Sequence, residues 1–411
     1  METHLASFIK GTADGNEAEA ILRKCVHCGF CNATCPTYQL LGDELDGPRG
    51  RIYLMKQMLE GAPVTRKTQE HLDRCLTCRN CESTCPSGVR YGRLVDIGRK
   101  VADERLPAAR SLPQRLLRDV LREGLTRRRL FTPALRLGQA FRPLLPGSIK
   151  KKVPPRQASG VWPKATHTRR MLLQEGCVQP ALMPNIDAAT ARVLDAVGVQ
   201  LIVASKTGCC GAIRQHTDDH DGAIDDMRRN IDAWWPHIHK GAEAIVINAS
   251  GCGSMVKEYG HHLRHDPMYA AKAERVSALA RDLSEILPDF AAQLLPKLKQ
   301  PNSGRVAWHP PCSLQHGQQI RGKVEALLSA AGVDVQLCAD AHLCCGSAGT
   351  YSILQPELAT RLRDAKLANL RALEPAQIVS ANIGCVLHLQ SGTRAPVRHW
   401  IELLDDLLVR E

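Results

Sequence analysis

The sequence predicts a multidomain chain of mixed α+β and α/β class. A helical N-terminal domain is followed by two repeated, small α/β cysteine-rich lobes. Three observations predict this. Residues 25–36 and 75–86 repeat one cysteine pattern, with helix-forming sequence between them. A different cysteine pattern repeats twice in the second half, in matched register. There, apolar strand-like runs alternate with helical segments, the arrangement of short parallel sheets. At 411 residues the chain has room for two or three domains. The expected boundaries are 1–100, 101–165, 166–295 and 296–411.

The first pattern reads C-V-H-C-G-F-C-N-A-T-C-P at 25–36 and C-L-T-C-R-N-C-E-S-T-C-P at 75–86. Each is C-x2-C-x2-C-x3-C-P, the bacterial ferredoxin signature of a 4Fe–4S cluster. Three thiolates spaced by three wrap one face of a cubane. The fourth stands before a proline and ligates the other cluster. That rule assigns Cys25, Cys28, Cys31 and Cys85 to one cluster. It assigns Cys75, Cys78, Cys81 and Cys35 to the other. Zinc also suits four thiolates, but its sites usually pair two C-x2-C units. Disulfides are disfavoured: the 17 cysteines stand in a chain whose first 20 residues are polar and read as no secretory signal.

Taken in order, residues 1–24 form a polar lead-in and a short helix with Ala18, Ile21 and Leu22 on one face. Pro48 starts a helix whose apolar positions Ile52, Met55 and Leu59 recur at helical spacing, and Gly61 and Pro63 end it. A further helix near Gln69–Leu72 delivers Cys75. Residues 101–165 form a basic helical connector. The stretch 101–170 holds 17 Lys or Arg against four acids and so accounts for the whole net charge of +12. Leu112, Leu116, Leu117, Val120 and Leu121 are expected to share an apolar face. Arg127–Arg129 follow, then Leu130, Leu135, Phe141, Leu144 and Leu145. Lys150–Lys152 and Pro154–Pro155 end the segment as a linker. Such a segment is either a solvated face or a docking surface for anionic lipid or an acidic partner.

The second pattern begins at residue 169. Met171–Gln174 leads to Cys177, Leu201–Ala204 to Cys209-Cys210-Gly211, and Ala244–Asn248 to Cys252. In the second copy Val306–Trp308 leads to Cys312, Val333–Leu337 to Cys344-Cys345-Gly346, and Ile378–Ser380 to Cys385. The step from first cysteine to cysteine pair is 32 residues in both copies. Helices fill the gaps, among them Ile186–Val197 and Glu357–Leu373. The cysteines therefore fall past strand C-termini, where such folds bind ligands. Each copy offers four thiolates, Cys177, Cys209, Cys210 and Cys252 or Cys312, Cys344, Cys345 and Cys385, for an additional cluster. The competing account is a shaped cleft. A dinucleotide reading of Gly251-Cys252-Gly253 fails because Val256 replaces the third glycine. A nucleophile pair of Cys312 and His309 is weaker than ligation, since every cysteine but Cys338 fits a repeated pattern.

Composition narrows the function. No apolar run approaches the roughly 18 residues of a spanning helix. Aromatic residues make up only 4%, which argues against binding nucleic acid by base stacking.

Two ferredoxin loops followed by two Cys–Cys-Cys-Gly–Cys modules resemble the glycolate oxidase iron–sulfur subunit family. Glycerol-3-phosphate and lactate dehydrogenase iron–sulfur subunits and heterodisulfide reductases carry the same parts. The long helical spacer between the loops resembles the helical ferredoxin domain of membrane-linked dehydrogenases. The resemblance implies an electron-transfer subunit of an oxidoreductase complex. FAD-binding partner subunits would oxidise glycolate to glyoxylate, and this chain would pass electrons towards a quinone. It also implies a peripheral position on the cytoplasmic face of the inner membrane. The chain departs from heterodisulfide reductases in lacking the closing C-x-x-C, since Met255 stands three residues after Cys252 and His388 three after Cys385. This argues against a five-thiolate non-cubane site. No catalytic residue is assigned. Flavin dehydrogenation of a 2-hydroxy acid delivers two electrons together, and one-electron centres would separate them in time. Arg23, Lys24 and His27 by the first loop, and Arg74 and Arg79 by the second, are expected to raise both cluster potentials.

Overall fold

The computed structural model describes residues 1–106, 110–144, 146–147, 153–164, 166–302 and 304–409. Leu145 and Lys150–Lys152 lie outside the described residues. The chain divides into two compact units. One holds residues 1–119, 216–218 and 342–366, and the other holds 120–215, 219–341 and 367–411.

The first unit is helical. Its helix Ala13–Lys24 starts where the Thr12 hydroxyl accepts from Gly15 N at 3.0 Å, and it buries Ala18, Ile21 and Leu22. Pro48 stands at the first turn of helix Pro48–Leu59, where a missing N–H costs nothing. That helix buries Ile52, Met55, Met58 and Leu59. Thr65 and Thr68 cap each other reciprocally at the start of helix Arg66–Asp73. Helix Tyr91–Arg105 closes the core with Leu94, Val95, Ile97, Val101 and Ala102. Gly98 lets it approach Pro48–Leu59, because a Cβ there would collide with the Met55 sulfur. The two cysteine loops lie at the edge of this core, which includes Cys25, Cys75 and Cys81.

Helix Leu112–Thr126 is turned differently from the expected single apolar face. Leu121 is buried, but Leu112 is 79% exposed, Leu116 63% and Val120 58%. Arg118 sets the orientation. It is buried, and its Nη2 lies 3.0 Å from Asp73 Oδ2 and its Nη1 3.1 Å from Asp218 Oδ2. A buried guanidinium must keep its ion partners, so the helix rolls the apolar stripe outward.

The second unit contains two parallel four-stranded sheets of identical topology. The first has order β2-β1-β3-β4, with β1 Arg169–Leu173, β2 Val199–Ile202, β3 Ile245–Ile247 and β4 Ala280–Asp282. The second has order β6-β5-β7-β8, with β5 Val306–His309, β6 Val335–Leu337, β7 Gln377–Ser380 and β8 Val397–His399. The stretches 171–173, 245–247, 306–308 and 378–379 of the central strands are buried and apolar throughout because helices cover both faces of a parallel sheet. Helices Asn185–Ala196 and Pro356–Arg371 match the two expected from sequence to within one or two residues at each end. The lobes lock together through Ser250 Oγ and Ser313 Oγ at 2.7 Å, and through Ser250 N donating to Ala381 O at 3.0 Å. Arg192 adds a two-pronged pair to Asp405, at 2.8 and 2.6 Å.

Candidate iron–sulfur centres

The two ferredoxin-type loops share one backbone conformation. His27 and Thr77, each two residues past the first cysteine, are left-handed, with φ of 59° and 51°. Gly29 and Arg79, each just past the second cysteine, are left-handed too, with φ of 89° and 59°. Non-glycine residues there cost of order 1–3 kcal/mol. The bend aims backbone N–H groups inward: Thr77 N donates to Cys75 Sγ at 3.4 Å. Short helices Phe30–Ala33 and Asn80–Thr84 then carry the third cysteines. Cys35 and Cys85 follow in extended conformation, and each precedes its proline.

Two hollows result. The first is lined by Cys25, Cys28, Cys31 and Cys85, with Val26, Phe30, Ile52, Pro86 and Val89 as apolar walls. The second is lined by Cys35, Cys75, Cys78 and Cys81, with Pro36, Leu76 and Tyr91. Cys81 also borders the first. Each hollow thus gathers three thiols of one loop and the fourth of the other. This donor set fits a 4Fe–4S cluster: four sulfurs, apolar walls and N–H donors to sulfur. Cys25, Cys35, Cys75 and Cys81 are buried, whereas Cys28 reaches the surface.

The electrostatics of the hollows differ. Burial pushes the Cys31 thiol up to about 11, with its neighbours Cys25 and Cys85 adding to the rise. Burial also pushes Cys81 well up, helped by Cys78, Cys75 and Cys35. Cys75 goes the other way. Burial opposes its charge, but the guanidiniums of Arg51 and Arg99 outweigh burial and hold it below the ordinary thiol range. These two arginines, and Tyr91, whose Oη donates to Cys75 Sγ at 3.6 Å, were not singled out from sequence. Arg51 sits mid-helix, where spacing alone reads it as a solvated position. Of the flanking charges that were singled out, Arg23 is exposed and paired with Glu19, and Arg74 pairs with Asp46 and Glu70.

The first Cys-Cys-Gly module brings its four cysteines together. Cys177, Cys209, Cys210 and Cys252 form a chain of neighbouring sulfurs in that order. The bond to Cys209 and then burial push the Cys177 thiol well up. Gly211 turns the chain with φ of 94°, and its N donates to Cys209 Sγ at 3.4 Å. Asn230 Nδ2 holds Cys209 O at 2.7 Å, and Tyr259 Oη holds Cys210 O at 2.9 Å. The second set is divided between the units. Cys312 and Cys385 belong to the second unit, and Cys344 and Cys345 to the first. Cys385 lies buried on helix Ile383–Gln390, and Asn382 Nδ2 approaches its sulfur at 3.7 Å. His388 stands one turn on, half-buried. The Cys344-Cys345 loop rests against the second ferredoxin loop of its own unit, where Asn80 Nδ2 donates to His342 O at 3.3 Å.

Comparison with known proteins agrees with this geometry. Residues 21–89 match the 4Fe-4S dicluster domain, and residues 171–257 and 306–390 match the cysteine-rich domain. The chain is 52% identical to the glycolate oxidase iron-sulfur subunit of Escherichia coli (strain K12), with all of both chains covered. It is 30% identical to the probable glycolate oxidase iron-sulfur subunit of Bacillus subtilis (strain 168), over 91% of this chain and 89% of that one. Lactate utilization protein A of Geobacillus thermodenitrificans is 24% identical, and the match covers 56% of this chain and 95% of that protein. Two ferredoxin-type loops, two cysteine-rich lobes and a full-length match place the chain in the glycolate oxidase iron–sulfur subunit family.

Proposed function

We propose that this chain is the electron-transfer subunit of a glycolate-oxidising complex. The observation that carries the reading is the pair of four-cysteine hollows. Cys25, Cys28, Cys31 and Cys85 would hold one 4Fe–4S cluster, and Cys75, Cys78, Cys81 and Cys35 the other. When bound, these clusters supply one-electron redox chemistry, and FAD on partner subunits supplies the oxidation of glycolate to glyoxylate. The chain's own residues exclude water with Ile52, Val89 and Tyr91. They fix sulfur orientation with the Thr77 N–H and set the local charge with buried arginines. A quinone-type acceptor takes the electrons onward. The first module's Cys177, Cys209, Cys210 and Cys252, whose sulfurs neighbour one another in that order, would hold a further cluster.

The complex is proposed to sit peripherally on the cytoplasmic face of the inner membrane. No helix among the described residues is long and apolar enough to cross a membrane. Helix Arg128–Ala140 and the turn after it instead expose Leu130, Leu137, Phe141 and Leu144. At 3.6 residues per turn these fall within an arc of roughly 60°. Arg129 and Arg136 flank one side and Arg127 and Arg142 the other, and residues 127–144 contain no acid. An apolar stripe between basic flanks suits an anionic lipid surface.

Co-purification of the native complex tests the reading. Glycolate should bleach the visible iron–sulfur absorbance of this chain only when the flavin subunits are present. Bleaching by the isolated chain, or none in the complex, would overturn it.

A further inference from the structure

The two thiolate sets differ in what is buried beside them. Arg51 is 1% exposed and lines the second hollow. Its Nε donates to His71 O at 2.7 Å, its Nη1 to Thr37 Oγ1 at 3.2 Å and its Nη2 to Asp46 Oδ1 at 3.3 Å. Thr37 Oγ1 lies 3.3 Å from Cys35 Sγ. Arg99 is buried on the other side. Its Nη2 donates to Cys75 O at 2.6 Å and Leu72 O at 2.8 Å, and its Nη1 to Thr77 Oγ1 at 2.9 Å. Asp46 offsets part of the Arg51 charge, but it also serves Arg74 at 3.0 Å and His71 at 3.0 Å, so its single charge is shared. Asp73 and Asp218, which act on Arg99, are likewise shared, with Arg110 and Arg118. The first hollow is lined by Arg49 and His27 instead. Arg49 is 36% exposed in its side chain and spends its Nε on Glu44 Oε1 at 2.6 Å. Exposed charge is screened by water and salt, whereas buried charge is screened much less.

We propose that Arg51 and Arg99 make the second thiolate set the electron-collecting end of the pair, so that electrons enter at the first set. The proposal rests on the iron–sulfur reading above. In each transfer the centre that Cys25, Cys28, Cys31 and Cys85 would hold would lose one electron, and the centre that Cys75, Cys78, Cys81 and Cys35 would hold would gain it, with no bond or proton changed. The buried guanidiniums of Arg51 and Arg99 would stabilise the added negative charge at the second site. Entry at the first set is consistent with its surface. Cys28 is exposed, between Val26 at 69% and Phe30 at 62% exposure.

A redox titration of the anaerobically purified full chain, followed by electron paramagnetic resonance, tests this. Cys28→Ser and Cys78→Ser each alter one cubane signal and so assign the two. The signal of the second set should be reduced first. Arg99→Gln should shift electron partition between the centres at least tenfold towards the first, a change of 59 mV for one electron. Arg99→Lys should restore the wild-type order, and Arg49→Gln should shift it less than Arg99→Gln. The opposite order in the wild type, or an Arg99→Gln variant that moves neither signal or both equally, would overturn the proposal. Absence of any cubane signal would instead overturn the cluster reading on which it rests.

Discussion

The phenol of Tyr351 donates to the backbone carbonyl of Arg74 at 3.1 Å. Arg74 immediately precedes Cys75, and Tyr351 lies six residues past the Cys344-Cys345 pair. Burial pushes the phenol well above its ordinary range, and the nearby Cys75 and Cys344 add to the rise. The loop of the second module is therefore fastened to the second ferredoxin loop. Tyr351→Phe should cost about 0.5–1.5 kcal/mol of stability. Urea unfolding should show a lower midpoint, and limited proteolysis should cut faster within 342–354. An unchanged midpoint would mean that the bond contributes nothing.

Ligand crossing gives a second prediction. Cys85→Ser should perturb the centre of Cys25, Cys28 and Cys31, and Cys35→Ser that of Cys75, Cys78 and Cys81. Resonance spectra of the two variants distinguish this from the uncrossed assignment, in which each substitution would disturb the centre of its own loop.

The first module makes a third prediction. Anaerobic protein should hold more than eight irons per chain, and Cys209→Ser should remove the excess while leaving both cubane signals. Eight irons, unchanged by Cys209→Ser, would leave the two ferredoxin-type sites as the only clusters.

A fourth concerns pH. Asp187 is fully buried, with Oδ1 accepting from Gln179 Nε2 at 2.8 Å and Asn248 Nδ2 at 2.9 Å. Burial pushes its carboxyl up to about 7, although the two amides pull it down. The folded chain thus keeps a proton that the unfolded chain releases near pH 4. This contribution to stability is full below pH 4 and is lost as pH rises through 7. Asp187→Asn should flatten the stability profile between pH 4 and 7. An unaltered slope there would show that another group sets it.

The membrane stripe gives a fifth. Leu137→Glu with Phe141→Glu should abolish sedimentation with vesicles of anionic phospholipid, and high salt should weaken wild-type binding. Full retention by the double variant would remove lipid contact from the account.

Much of this was legible in the sequence because it is local. The C-x2-C-x2-C-x3-C-P spacing dictates which cysteines share a loop. The runs of apolar residues at Met171 and Val306 mark central strands buried on both faces. Strands β4 and β8 were not legible. Each is three residues long with a central arginine, Arg281 or Arg398, so neither shows an apolar run. Arg51, Arg99 and Arg118 were hidden for a related reason. A charged residue on a helix reads as a solvated face, and only packing shows that its partners are Asp46, the Cys75 carbonyl and Asp218. The outward stripe of Leu112, Leu116 and Val120 follows from that burial, and no periodicity could predict its direction.

The most direct test of the central claim is metal and sulfide analysis of the anaerobically purified chain, combined with Mössbauer spectroscopy. The account predicts at least eight irons per chain in cubane form. Cys28→Ser with Cys78→Ser should deplete or alter both ferredoxin-type centres together. Zinc in place of iron, or a cubane spectrum that this double variant leaves wholly unchanged, would contradict it.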